Sequence, residues 1–249
     1  MPDDASNDAI FEAAADAIVD GDLATLGRLL SENPGLVHAR SSRAHRATLL
    51  HYVSANGVED FRQKTPANIV DVARTLLDAG AEVDAGSRSY GDRDTTFMLV
   101  ATSVHPQRAG VQLDLMRLLL DRGAEIPPNA VQACLANGRG AAAEFLLDRG
   151  APLDLAHLED ADGNGMTLLH HAAAAGSLRI VRMLLDRGAN LEARSGYGGT
   201  VLEQAVWSAI HARQPQHLEI IELLVVHGAR VGDGWFTGYG DLDAALHQS

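Results

Sequence analysis

Cys134 is the only cysteine in 249 residues, so no disulfide can form within the chain and packing must hold the fold. Aromatic residues make up only 4%, which leaves Leu, Val, Ile and Ala to build a core suited to thin, closely packed helices. Lys64 is the single lysine among 20 lysines and arginines, a bias associated with GC-rich bacterial genomes. Positive charge is outweighed altogether, with a net charge of −13. Nonspecific binding to nucleic acid or an anionic membrane is disfavoured, because both rely on clustered cationic side chains. An acidic balance serves chiefly as a solubility device, although it also suits a basic partner. No run reaches the roughly 18 apolar residues needed to span a bilayer. The first residues, MPDDASNDAIFEAAADAIVDGD, are acidic and do not read as a secretory signal. These absences predict a cytoplasmic, reducing setting with no membrane and no nucleic-acid partner.

What the chain does have is a period. Residues 165–200 read GMTLLHHAAAAGSLRIVRMLLDRGANLEARSGYGGT. Thr167-Leu168-Leu169-His170 opens one short helix, Gly176 ends it, and Ser177 is placed to cap a second. Leu178, Val181, Leu184 and Leu185 then fall on one face, the spacing of a helix buried on one side. Gly188 stops that helix, and a polar, glycine-rich link returns to Thr200, 33 residues after Thr167. A fixed period of this length signals stacked helical hairpins.

TLLHHAAAAG resembles the T-P-L-H-x-A-A-x-x-G pattern of the ankyrin-repeat family, and IVRMLLDRGANLEA resembles its second helix and exit turn. Leu168 stands where the family usually has proline, which is favoured but not required at a first helical position. The resemblance covers about residues 10–232 and implies an all-α fold, an ankyrin-repeat α-solenoid of about six helix-turn-helix repeats with short link turns. The expected organisation is a disordered N-terminus over 1–8 and a repeat array over 9–232. Within the array, 9–46 forms a capping repeat, followed by 47–94, 95–127, 128–163, 164–196 and 197–232. A C-terminal cap is expected over 233–249.

Ile10 to Ile18 reads as a first helix, and Leu23, Leu26, Leu29 and Leu30 as the stripe of a second. Thr48-Leu49-Leu50-His51 opens the second repeat as Thr167 opens the fifth. Repeats two, three and six are longer than the fifth, with extra residues around 58–68, 105–110 and 211–217. All three insertions fall between the paired helices and project from one edge of a stack. The C-terminal stretch holds Trp235, Phe236 and Tyr239, then an apolar-patterned end from Leu242 to Leu246.

Catalytic and metal motifs are missing from the sequence. No HExxH or CxxC occurs, adjacent His170 and His171 point apart on a helix, and Cys134 has no patterned histidine beside it. Asp160 to Gly165 has the first half of an EF-hand loop, but position 12 is His171 where a bidentate glutamate is required. The glycines sit at helix ends rather than in a phosphate loop. No enzyme activity, cofactor or metal site is therefore expected. In the family the motif histidine braces the turn, which is what the resemblance implies for His51 and His170. Glu203 takes that place in the sixth repeat, where a carboxylate needs a donor nearby.

The family's concave surface is formed by first helices and link tips. Carried over, its variable positions include Tyr52, Asn56, Val100, His171, Gln204 and Trp207, with Tyr52, His171, Gln204 and Trp207 sharing one groove. Tyr and Trp anchor interfaces by combining apolar area with a polar tip. The expected function is noncatalytic binding of a protein partner by a monomer, through the groove and link tips. The rival is an enzyme or small-molecule binder with a pocket between groove and insertions, using Tyr52, His105, His171, Glu203 and Trp207. A third reading is an inhibitor whose acidic surface mimics another polyanion.

Overall fold

Leucine stripes at helical spacing and glycines just past helix ends cut the chain into short, paired helices. The computed structural model describes residues 4–91, 93–151, 165–232 and 234–247, in two units covering 1–127 and 128–249.

In the first unit, α1 (Asp4–Asp20) and α2 (Leu23–Glu32) lead into a 3-10 helix, Pro34–His38. A second 3-10 helix, Leu49–Ser54, and a one-turn piece, Asp60–Arg62, precede α3 (Ile69–Asp78). A hairpin of β1 (Gly86–Ser87) and β2 (Asp94–Thr95) pairs Gly86 with Thr95 and Ser87 with Asp94. It delivers the chain to α4 (Thr96–Thr102), α5 (Val104–Arg108) and α6 (Gln112–Asp121). One layer stacks α1, the 49–54 helix and α4, while α2, α3 and α6 form the other.

The second unit contains α7 (Ala130–Ala136), α8 (Gly140–Asp148), α9 (Leu168–Ala174) and α10 (Leu178–Leu185). It continues through α11 (Val201–His211), α12 (His217–Val226) and α13 (Gly240–Leu246). Here α7, α9 and α11 stack in one layer, α10 packs on α12, and α13 closes against α12. Gly140 opens α8 at a close approach: a Cβ there would lie 2.4 Å from the Ala175 carbonyl oxygen.

The stripes bury as amphipathic helices should. Leu26, Leu29 and Leu30 of α2, and Ile180, Val181 and Leu184 of α10, are withdrawn from water. Each such side chain contributes about 2 kcal/mol before the cost of ordering the chain. Leu178 and Leu185 are only half-buried, so Ile180 replaces them at the centre of the α10 stripe.

Several local expectations need correction. The first helix starts at Asp4 rather than at Ile10. Asp22 caps α2 by accepting from the Thr25 amide at 3.0 Å. Ser177 makes no such cap; its hydroxyl instead donates to the Glu144 carboxylate at 2.7 Å. The insertion around 105–110 adds the short helix α5. The calcium-loop-like stretch from Asp160 lies outside the described residues up to Asn164.

Candidate interaction surface

The histidines and polar side chains that looked chemically suggestive are mostly structural. His51 is fully buried. Its Nδ1 accepts from the Thr48 amide at 3.1 Å, and its Nε2–H donates to the Asp94 carbonyl at 3.1 Å, joining one link to the next. Burial pushes its pKa down from 6.5 to about 4, so the ring is neutral at neutral pH. His170, also buried, accepts from the Thr167 amide at 3.2 Å. Glu203 finds its donor within one turn. The Thr200 amide donates to it at 2.6 Å, and the Glu203 amide returns to the Thr200 hydroxyl, forming a capping box.

Two further braces lie at the starts of second helices, where the family pattern gave no signal. Gln112 donates to the carbonyls of Val100, Ala101 and Ser103 at the end of α4. His217 accepts from the Gln214 amide and donates to the Ala174 carbonyl at 3.1 Å, with burial lowering its pKa. Both side chains satisfy carbonyls left open at helix C-termini.

The second-repeat insertion folds back on α1. Arg62 is 3% exposed and reaches Glu12 at 2.7 Å, Asp16 at 2.7 Å and Glu59 at 3.5 Å. Burial opposes its charge, but the hydrogen bonds with Glu12 and Asp16 prevail and raise its pKa. The Arg43 hydrogen bond, opposed by partial burial and reinforced by Arg62, lowers the pKa of Glu12. Arg43 also pairs with Glu59, and the Tyr52 hydroxyl donates weakly to Glu59 at 3.4 Å. Among the described residues, the second Glu59 carboxylate oxygen is buried without a hydrogen-bond partner. This cluster clamps the insertion to α1 through partners 46 and 50 residues away in sequence.

The expected contact residues divide sharply. Tyr52 and Val100 are fully buried and face the core, so neither presents a side chain to a partner. Burial, with the nearby Glu59 charge, pushes the Tyr52 pKa up to about 12. Asn56 is part-buried and engaged: it donates to the Leu99 carbonyl at 3.2 Å and accepts from the Tyr90 hydroxyl at 2.6 Å. His171 and Gln204 are half-buried in α9 and α11, and Gln204 donates to Ser208 at 3.3 Å. Trp207 is 56% exposed on α11. Its ring stacks on His211 at 4.4 Å, so it does touch the start of the sixth-repeat insertion while leaving a face open.

Tyr90 and Tyr197, at the tips of two links, are 72% and 81% exposed. Neither stood at a transposed helix position, although aromatics inside Gly-flanked links are a usable signal. Tyr52 and His105 lie in the first unit, whereas His171, Glu203 and Trp207 lie in the second. The Glu203 carboxylate is already engaged in its cap. Cys134 is buried, and burial pushes its thiol up to about 12, away from the nucleophilic thiolate. Among the described residues, no group of His, Cys, Asp and Glu is arranged to hold a metal. No described helix is long and apolar enough to cross a membrane.

A family model described as ankyrin repeats (three copies) matches residues 96–195 and 129–234, together more than half of the chain. The chain is similar to an ankyrin repeat domain-containing protein of monkeypox virus, OPG015, at 30% identity over 156 residues covering 47% of this chain. It is also similar to the ankyrin repeat and SAM domain-containing protein 6 of Danio rerio, at 38% identity over 134 residues covering 53% of this chain. The matches span 36% and 16% of those two curated relatives' own length. Among solved structures, it is similar to a chain of the predatory endopeptidase from Bdellovibrio bacteriovorus in complex with an immunity protein. That likeness has a TM-score of 0.50 and 19% identity, covering 84% of this chain and 97% of that one, and it speaks for the fold.

Proposed function

The chain belongs to the ankyrin-repeat family, and on that premise we propose that it is a noncatalytic module that binds a protein partner through exposed first-helix faces and link tips. The observation that carries this reading is where the scarce aromatics go. Of five phenylalanines, four tyrosines and two tryptophans, Phe61, Tyr90, Tyr197, Trp207, Phe236 and Tyr239 are exposed. A chain that builds its core from aliphatic residues and displays more than half its aromatics presents the residue types that anchor interfaces.

The contact residues in this reading are Trp207, Gln204 and His171 with the Tyr197 tip in the second unit, and Tyr90 with Asn56 in the first. A cytoplasmic monomer suits it, since Cys134 is buried and the chain is strongly acidic. The solved structure that this fold is similar to holds an endopeptidase and an immunity protein in complex, in keeping with a protein as the partner here.

The test is capture from native lysate with tagged full-length protein, then titration of the recovered, purified partner into wild type, Trp207→Ala and Tyr197→Ala. A hot-spot aromatic predicts roughly tenfold weaker binding for at least one variant. Equal affinity for all three would remove this surface, and an empty capture would remove the interaction reading itself.

A further inference from the structure

Four arginines from two links converge in the first unit. Arg40 and Arg46 belong to the link closed by the bridge between Arg40 and Thr48. Arg88 and Arg93 belong to the β1–β2 hairpin. With Gly86 and Ser87 they line an open depression of about 360 Å³. Arg40 ties the two links together, donating to the Arg46 carbonyl at 3.0 Å and to the Gly86 carbonyl at 2.6 Å. The Arg88 amide donates across to the His45 carbonyl at 2.7 Å. The backbone that carries the cluster is therefore fixed before any ligand arrives, which lowers the ordering cost of binding.

Three features separate this cluster from ordinary surface charge. First, many arginines of this acidic chain are paired with a carboxylate, as Arg28 is with Glu32, Arg117 with Asp114, and Arg122 with Asp78. Among the described residues, the guanidinium groups of Arg46 and Arg93 have no such partner, and both residues are exposed. The hairpin's own Asp94 carboxylate is turned away to the amides of Tyr90 and Gly91 at 2.6 and 2.8 Å.

Second, Arg46 has a left-handed backbone, φ 52°, which a side-chain-bearing residue adopts only at a cost. Its amide donates to the Arg43 carbonyl at 3.0 Å. Third, the link of the sixth repeat needs only one arginine. Arg194 bridges to Thr200 and donates to the Gly198 carbonyl at 2.6 Å, much as Arg40 serves its own link. Arg46, Arg88 and Arg93 have no counterpart in the 195–199 stretch, which reads SGYGG. Link geometry alone does not call for them.

We propose that these two tips bind an acidic, Asp- or Glu-rich segment of the partner protein, with its carboxylates held by Arg46 and Arg93 above the floor that Arg40 provides. The inference rests on the interaction reading above and specifies the chemistry of one contact. Guanidinium groups take carboxylates in paired hydrogen bonds. Screening confines each charge to about 8–10 Å at physiological salt, so the local cluster governs this contact despite a net charge of −13. The same acidic surroundings disfavour a long, uniformly charged nucleic acid, which would extend past the cluster onto repelling surface. Tyr90, beside the arginines on the hairpin, adds an exposed aromatic to the contact.

The experiment titrates a fluorescein-labelled hexaglutamate peptide into the full chain by anisotropy, at 20 and 150 mM NaCl. The Arg46→Ala/Arg93→Ala variant should bind at least tenfold more weakly than wild type. The Arg28→Ala/Arg117→Ala control, with the same charge change in the same unit, should shift by twofold or less. The Arg46→Lys/Arg93→Lys variant keeps the charge and should fall between, even if the alanine variant fails to fold. Absent peptide binding at 20 mM NaCl, or an equal loss in the control, overturns the proposal. Tighter, arginine-dependent binding of a hexathymidylate oligonucleotide overturns it as well. Capture of a protein partner through Trp207 that survives the Arg46→Ala/Arg93→Ala change would leave the interaction reading standing and remove only the acidic-segment contact.

Discussion

Thr48-Leu49-Leu50-His51 and Thr167-Leu168-Leu169-His170 are the same four residues, one set in each unit, and they build the same cap. The threonine amide donates to histidine Nδ1 at 3.1 and 3.2 Å, and the threonine hydroxyl lies 2.8 Å from it in both. Beyond the cap the two helices diverge. The first set winds into the 3-10 helix Leu49–Ser54, the second into the α-helix Leu168–Ala174. Behind the fifth-repeat motif stands HAAAAG, and behind the second stands YVSANG. Alanine is the best helix former, while valine and tyrosine lose side-chain freedom in a helix. Ser54 adds competition: its hydroxyl donates to the His51 carbonyl at 2.7 Å, and the Ala55 amide goes to Tyr52 instead, at 3.2 Å. The shared motif sets the cap, and the residues behind it set the winding.

The largest test of this contrast concerns the insertion that accompanies the tighter turn. Arg62 is buried against Glu12, Asp16 and Glu59, whereas Arg182 meets Glu219 at 2.5 Å on open surface. Removing one member of a buried ionic cluster strands the others, and Arg62→Ala is expected to cost about 3 kcal/mol. Arg182→Ala should be barely measurable, because exposed pairs contribute little. Urea unfolding of both variants decides it. Similar midpoints would mean that the insertion is draped over α1 rather than clamped to it.

A smaller effect comes from the brace. The unfolded-state pKa of His51 is near 6.5 and the folded value is about 4, so between these the unfolded chain takes up a proton that the folded chain refuses. Stability from this group is full above pH 6.5 and is lost as pH falls, by about 2 kcal/mol at pH 5. His217, also lowered by burial, pushes in the same direction. The measurement is therefore the difference between wild type and His51→Gln in urea midpoints at pH 7 and pH 5. The variant should show the shallower fall, and parallel profiles would mean that His51 accepts a proton in the folded state.

The contrast also explains what could be read from the sequence. The period, the glycine stops and the two motif histidines were legible because each is a local rule repeated along the chain. Glu203 was legible as a carboxylate in need of a donor, and Thr200 supplies it. Tyr52 was not. Its expected exposure was carried over from the family's concave positions, whereas here Phe11 of α1, His45 and the insertion's Glu59 and Arg62 surround its side chain. Val100 stayed hidden for another reason: an apolar, β-branched residue in the seven-residue α4 had only burial to offer, and the core took it. The insertion's clamp and the arginine cluster lie beyond any local pattern. Arg62 finds partners 46 and 50 residues upstream, and the arginine-lined depression gathers positions 40, 46, 88 and 93.

The smallest effect is a difference in sign, and it isolates the winding from everything packed around it. Ala55 ends the 3-10 helix with a left-handed backbone, φ 48°, while Ala174 ends α9 within the helix. In the left-handed region an alanine costs roughly 1 kcal/mol that glycine avoids. Ala55→Gly regains that amount, then gives back a comparable sum through the lost buried methyl and the freer unfolded chain. Its stability should therefore stay within about 0.5 kcal/mol of wild type. Ala174→Gly has no strain to relieve and should cost about 1 kcal/mol. Paired urea melts read the difference directly. If Ala55→Gly proves the more costly of the two, the second-repeat motif does not end in a left-handed residue, and the two TLLH segments wind alike.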